Sequence, residues 1–212
     1  MHYIAHLEKD RKLKKLLNGT EPHQLKKRKN ICLYLCASIM SQQLSVKVAD
    51  VIYRRFLALY GGKAPTPQQI ADTPFEVLRG IGLSNAKVNY VKNVALFEIE
   101  QGMDARRLGK MDNEEVITYL TAIKGVGRWT VEMLLMFALG REDVFAVDDL
   151  GIQNAMIGIY KLDRSDKKKF REDLLRISAK WSPYRTYACV HLWRWKDNAP
   201  VVNKKRPKEK IK

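Results

Sequence analysis

The chain has 212 residues, 46% of them apolar, which is enough for a packed core in one domain or two and excludes disorder over its bulk. Lysine and arginine number 39 against 23 aspartates and glutamates, a net charge of +16 that suggests an anionic partner such as nucleic acid or a membrane surface without identifying it. Residues 1–30 carry +6 and residues 203–212 carry +5, leaving +5 for the long middle; basic runs at chain ends read by default as solvated arms.

Apolar spacing predicts helices almost throughout. The first spans Tyr3 to Leu17 and stops at Asn18-Gly19, residue types suited to a helix C-terminus. A second runs from about Leu25 to Met40, followed by a polar link, Ser41 to Ser45. Ser45 is a candidate N-cap for an amphipathic helix to Tyr60, with Val46, Ala49, Ile52, Tyr53, Phe56 and Tyr60 on one stripe. Further helices are predicted at Pro67–Ala71, Pro74–Leu78, Ser84–Gln101, Asn113–Ile123, Arg128–Leu139, Asp149–Tyr160, Asp166–Trp181 and Pro183–Trp195, the last with Ser182 as N-cap. The helix from Arg128 is apolar on every side except at Glu132, so it belongs at the centre of the core. No segment alternates with period two. The fold class is all-α, one unit with two helical lobes, ending at 202 before a tail (203–212) expected to be disordered.

Two local patterns carry chemistry. In Ile123-Lys124-Gly125-Val126-Gly127-Arg128, glycines permit positive φ and close approach, and the next helix offers unpaired N–H groups, so the segment suits either a phosphate cradle or a plain tight turn. Lys124 and Arg128 flank it and strengthen the phosphate reading. A second glycine turn, Gly80-Ile81-Gly82, resembles it. Downstream, Asp148-Asp149 stands at a helix start; one carboxylate suffices as a cap, which leaves the other available to a cleft. Cys32 and Cys36, four apart on an apolar stretch, read as buried thiols. His2, His6, His23 and His191 have no metal-motif companions, and no catalytic metal is expected.

The string LTAIKGVGRWTVEMLLMFALGREDVFAVDDLGI, together with SQQLSVKVAD at 41–50 and WSPYRTYACVHLWRW at 181–195, resembles the helix-hairpin-helix DNA glycosylase superfamily, and within it the alkylation-repair DNA-3-methyladenine glycosylase II type. The resemblance covers roughly Leu25 to Trp195, with the helix-hairpin-helix at about 113–139. It implies the helix-hairpin-helix glycosylase fold with a cleft between two lobes, without the N-terminal β-lobe of longer bacterial members. It implies Asp149 as the catalytic carboxylate and Trp129, Trp193, Met133 and Leu150 as base-pocket residues; the last two stand where the family has aromatics. Gly125, Val126 and Gly127, with Lys124, Arg128 and Thr130, fall on the DNA-binding hairpin, and carbonyls near Ile123 and Gly125 on a site for a sodium or potassium ion. Gln43 falls on the side chain that fills the gap left by a flipped base, with Gln42 and Leu44 as alternatives.

The activity so implied is hydrolysis of the N-glycosidic bond of alkylated purines, 3-methyladenine and 7-methylguanine, in base excision repair. Bifunctional relatives place a lysine directly after GVGR; here Trp129 occupies that position, so no strand-cutting lyase step is expected. With three cysteines in the chain, the four-cysteine iron–sulfur cluster of some relatives cannot form. Two alternatives stay open: a glycosylase of the same superfamily for deaminated or etheno purines, or a non-catalytic module binding duplex DNA. The expected partner is double-stranded DNA containing alkylated bases, and the protein is expected to be a monomer. With no run near 18 apolar residues and no signal-peptide core, the expected location is cytoplasmic and nucleoid-associated in a bacterium, or nuclear in a eukaryote.

Overall fold

The computed structural model describes residues 2–198; the domain end expected at 202 and the tail expected at 203–212 lie outside the described residues. Among the described residues every regular element is helical. One lobe is built from α3 (Ile31–Ser41), α4 (Val46–Ala58), α5 (Pro67–Asp72), α6 (Phe75–Gly80), α7 (Asn85–Glu100), α8 (Ala105–Gly109), α9 (Asn113–Thr121) and α10 (Arg128–Phe137). There α7 packs on α3, α5 and α6, while α10 packs on α9 and α3. The second lobe joins the two ends of the chain, with α1 (His2–Leu7) and α2 (Arg11–Leu17) beside α11 (Leu150–Tyr160), α12 (Lys167–Ser178), a 3₁₀ turn (Ala179–Trp181) and α13 (Arg185–Asn198).

The basic N-terminal run is therefore no free arm. Its apolar side chains Tyr3, Leu7, Leu13 and Leu17 are buried, and the Tyr3 ring stacks on Tyr187 of α13 at 4.0 Å between centroids. The single helix expected over Tyr3–Leu17 is two, because the Asp10 carboxylate accepts the N–H groups of Lys12 and Leu13 and starts α2 afresh. Its other oxygen accepts from Tyr160 (2.7 Å) and Trp181 (3.1 Å), tying the N-terminal helices to α11 and the 3₁₀ turn.

Caps explain the other boundary shifts. Asn30 accepts from Leu33 N–H, so α3 starts at Ile31 and residues 25–30 are not helical. Asp104 caps the unexpected short α8. Ser182 is not the cap of the last helix. It donates to Asp143 at 2.8 Å, and α13 begins only at Arg185, whose guanidinium grips the same carboxylate. The expectation for α10 holds: Thr130 through Met136 are all buried.

Candidate active site

Asp149 is the N-cap of α11, its Oδ1 accepting the Ile152 N–H at 2.8 Å, so a local cap orients the side chain. Two tryptophans then close on it. Trp193 Nε1 from α13 donates to Oδ1 at 2.9 Å, and Trp129 Nε1 from α10 donates to Oδ2 at 2.8 Å. All three partners are N–H donors, so the geometry is that of a carboxylate. Of its roughly four acceptor positions three are filled, and Oδ2 keeps one for a water or a ligand. The residue is 9% exposed, buried yet with an edge at the surface. Trp193 comes this close because α11 carries Gly151, where a Cβ would sit 3.0 Å from both the Trp193 ring and Asp149 Oδ1. Asp148, the other half of the pair, points away and pairs with Arg171 of α12.

Trp129 joins this carboxylate to a cleft of about 610 Å³ walled by α3, α4 and α10, including Tyr34, Leu44, Asp50, Tyr53, Met133 and Phe137. The volume is typical of ligand sites, which span about 300–1,000 Å³. Its walls come from the first lobe, and the second lobe meets it at Trp129, where Asp149 is attached. Of the four residues expected in the pocket, Trp129 and Met133 line the cleft. Trp193 stands behind the carboxylate, 6.0 Å from the Phe137 ring, and Leu150 is 58% exposed beside Asp149, outside the cleft wall.

The hairpin lies at the start of α10. Gly125 has φ +104°, and a Cβ there would fall 2.2 Å from Cγ of Tyr90, so α7 presses directly on the turn; Asn93 of the same helix donates to Lys124 O at 3.0 Å. Gly127 differs from expectation. Its φ is −94°, and its use lies in having no side chain: it is the N-cap of α10 and makes no side-chain cap, so the first-turn amides face outward unpaired by one. Val126 N–H is spent within the turn on Ile123 O at 2.9 Å, which leaves that carbonyl one lone pair for a cation.

Two residues expected on DNA are engaged elsewhere. Arg128 makes a bidentate pair with Glu114 (2.5 and 2.9 Å) and bonds Glu132 at 3.1 Å, so its charge is already answered. Thr130 is buried and accepts from Gln42 Nε2 at 3.4 Å. Lys124 is exposed and free of ion pairs among the described residues.

The Ser41–Ser45 link separates its three candidates. Gln42 is tied to Thr130, Leu44 lines the cleft, and Gln43 stands exposed with φ +59°, a conformation that costs a non-glycine residue about 1–2 kcal/mol. Lys87 of α7 holds this link: its ammonium donates to Met40 O at 3.0 Å and Gln42 O at 2.7 Å. Sequence offered no signal for Lys87, Gly151 or Glu114, since each acts through a partner far along the chain.

Residues 36–180 match a family described as HhH-GPD superfamily base excision DNA repair protein. The chain belongs to that family. It is 36% identical over 201 residues to DNA-3-methyladenine glycosylase 1 of Schizosaccharomyces pombe, covering 94% of this chain and 87% of the relative. Among solved structures it is similar to the Schizosaccharomyces pombe 3-methyladenine DNA glycosylase in complex with abasic DNA, with TM-score 0.80, 34% identity and coverage of 94% and 98% of the two chains. A DNA-3-methyladenine glycosidase from Bacillus halodurans superposes with TM-score 0.78 at 35% identity, covering 91% of this chain and 88% of that one.

Proposed function

We propose that this protein is a monofunctional DNA glycosylase that removes alkylated purines, 3-methyladenine and 7-methylguanine, as the first step of base excision repair. The observation that carries the reading is a carboxylate, Asp149, held by two indole N–H groups at the edge of an aromatic cleft on a helix-hairpin-helix scaffold. The names of the relatives at 34–36% identity support the same substrate class.

The uncapped N-terminus of α10 takes a DNA phosphate on its backbone amides, a contact that positions the duplex without reading sequence. A base inside the duplex is out of reach, so its nucleotide is flipped out at a cost of a few kcal/mol, and Gln43 fills the space it leaves. Purines alkylated at N3 or N7 are cationic; the faces of Trp129, Tyr34 and Tyr53 favour such a ring by about 0.5–2 kcal/mol each where they meet it. The base departs with the glycosidic electron pair and becomes neutral, so it needs no general acid. C1′ is left electron-poor. Asp149 steadies that charge and accepts the proton of the water that adds to it through the open position on Oδ2. Among the described residues no lysine lines the cleft to form a Schiff base, and Trp129 holds the corresponding place.

The test is release of free bases from methylated duplex DNA. Wild type releases 3-methyladenine and 7-methylguanine and forms no adduct trapped by borohydride. Retention of salt-sensitive DNA binding with no release of any base would point instead to a binding module, and release confined to hypoxanthine or ethenoadenine to the other lesion class.

A further inference from the structure

The second glycine turn repeats the first in a register two residues away from the one its sequence suggests. Gly82, with φ +105°, corresponds to Gly125 with φ +104°; buried Leu83 corresponds to buried Val126, and Ser84, the N-cap of α7, to Gly127, the N-cap of α10. Lys87 and Thr130 are then equivalent, each the third residue of its helix. Both reach the same place: Lys87 donates to Gln42 O and Met40 O, and Thr130 accepts from the Gln42 side chain. The link between α3 and α4 is gripped from two sides by two copies of one motif.

The two copies are chemically unequal. Ser84 Oγ already accepts the Lys87 N–H at 3.3 Å, so the α7 N-terminus is occupied by its own cap, whereas that of α10 is open. The Lys87 ammonium spends two of its three donors on carbonyls at the C-terminal end of α3, where a cation is favoured and fixes where the helix ends. The residue after those carbonyls is Gln43, held at positive φ with its side chain exposed and free of hydrogen bonds among the described residues.

We propose that the second hairpin is a strut in place of a second phosphate site, and that Lys87 is a positioning residue that holds Gln43 in the conformation in which it enters the duplex. This rests on Gln43 being the gap-filling residue, as proposed above. Lys87 acts on base flipping and leaves bond cleavage alone, so its loss matters only where the lesion has to be unstacked.

The experiment measures single-turnover release of 7-methylguanine from a paired duplex and from the same strand with the lesion opposite a one-nucleotide gap, where extrusion costs less. Lys87→Met is expected to slow release from the paired duplex about tenfold, the equivalent of about 1.4 kcal/mol, and by less than about threefold at the gap. Lys87→Arg, which keeps the charged donors, is expected to restore most of the rate. Gln43→Ala should lose as much as Lys87→Met, and the double variant no more than either. A thermal melt shows that each variant is folded, so that slow release on both substrates reports a loss beyond positioning. Normal release by Lys87→Met beside a slow Gln43→Ala, losses that multiply in the double variant, or a loss undiminished at the gap each overturn the strut. Wild-type release by Gln43→Ala overturns the gap-filling reading itself.

Discussion

Asp149 accepts three hydrogen bonds from three different elements: its own helix, α10 and α13. Asp149→Asn puts an amide N–H₂ group in competition with the indole donors and removes the negative charge from C1′. Base release is expected to fall at least about a hundredfold, the scale seen when one electrostatic group is removed from a reacting centre. Duplex binding should be nearly unchanged. Trp129→Phe and Trp193→Phe each keep a ring and delete one donor. A hydrogen bond to a charged group is worth about 1.5–3 kcal/mol, so each should lower single-turnover release about tenfold or more. An unchanged rate in both would show that the indoles serve as packing alone. Sequence resemblance picked out both tryptophans, but as faces for a base. Their N–H direction depends on how α10 and α13 pack against the start of α11, and a sequence does not carry that angle.

At the scale of the element, α10 joins the hairpin to the core. Gly125→Ala places a methyl inside the Tyr90 ring at a positive φ, and is expected to cost about 2–4 kcal/mol in urea denaturation. Gly127→Ala meets no atom within 4 Å and should leave stability within about 0.5 kcal/mol. Burial of Glu132 pushes its carboxyl up to about 7, against the opposing pull of Arg128. Between 4.5 and about 7 the folded protein keeps a proton that the unfolded chain has released, so this group's contribution to stability falls as pH rises through that window. His191, pushed down to about 4 by burial, works in the opposite sense from 4 to 6.5. Glu132→Gln isolates the first effect: the melting temperature of the variant relative to wild type should climb from pH 5 to pH 8. A difference independent of pH would mean that Glu132 titrates like a solvated acid.

Over the whole molecule the +16 charge drives DNA binding, but individual cations do not contribute equally. Replacing a lysine that neutralises one phosphate lowers the slope of log binding constant against log salt by about 0.9. Lys124→Met is expected to do so. Arg128→Met is not, because its guanidinium serves Glu114 and Glu132. Equal slopes for the two variants would contradict that division.

Much of the architecture was legible in the chain. Helical periodicity and turn chemistry are local, so the all-α class, the hairpin at 123–128, the buried helix after it and the acidic pair at the next helix start could all be read from short windows. Boundaries slipped where one side chain changed the local outcome, as when Asp10 split the first helix. Of the candidate site, the resemblance named Asp149, Trp129 and Trp193, and their arrangement was not legible. The sequence determined which residues could cap, turn and span a core, because those properties depend on neighbours a few positions away. Only the tertiary structure decided that Arg128 is spent inside the protein, that Gln43 alone of its three stands free, and that Trp129 and Trp193 hold one carboxylate between them. Each of those depends on distances between segments 14 to 88 residues apart, which packing sets and local sequence does not.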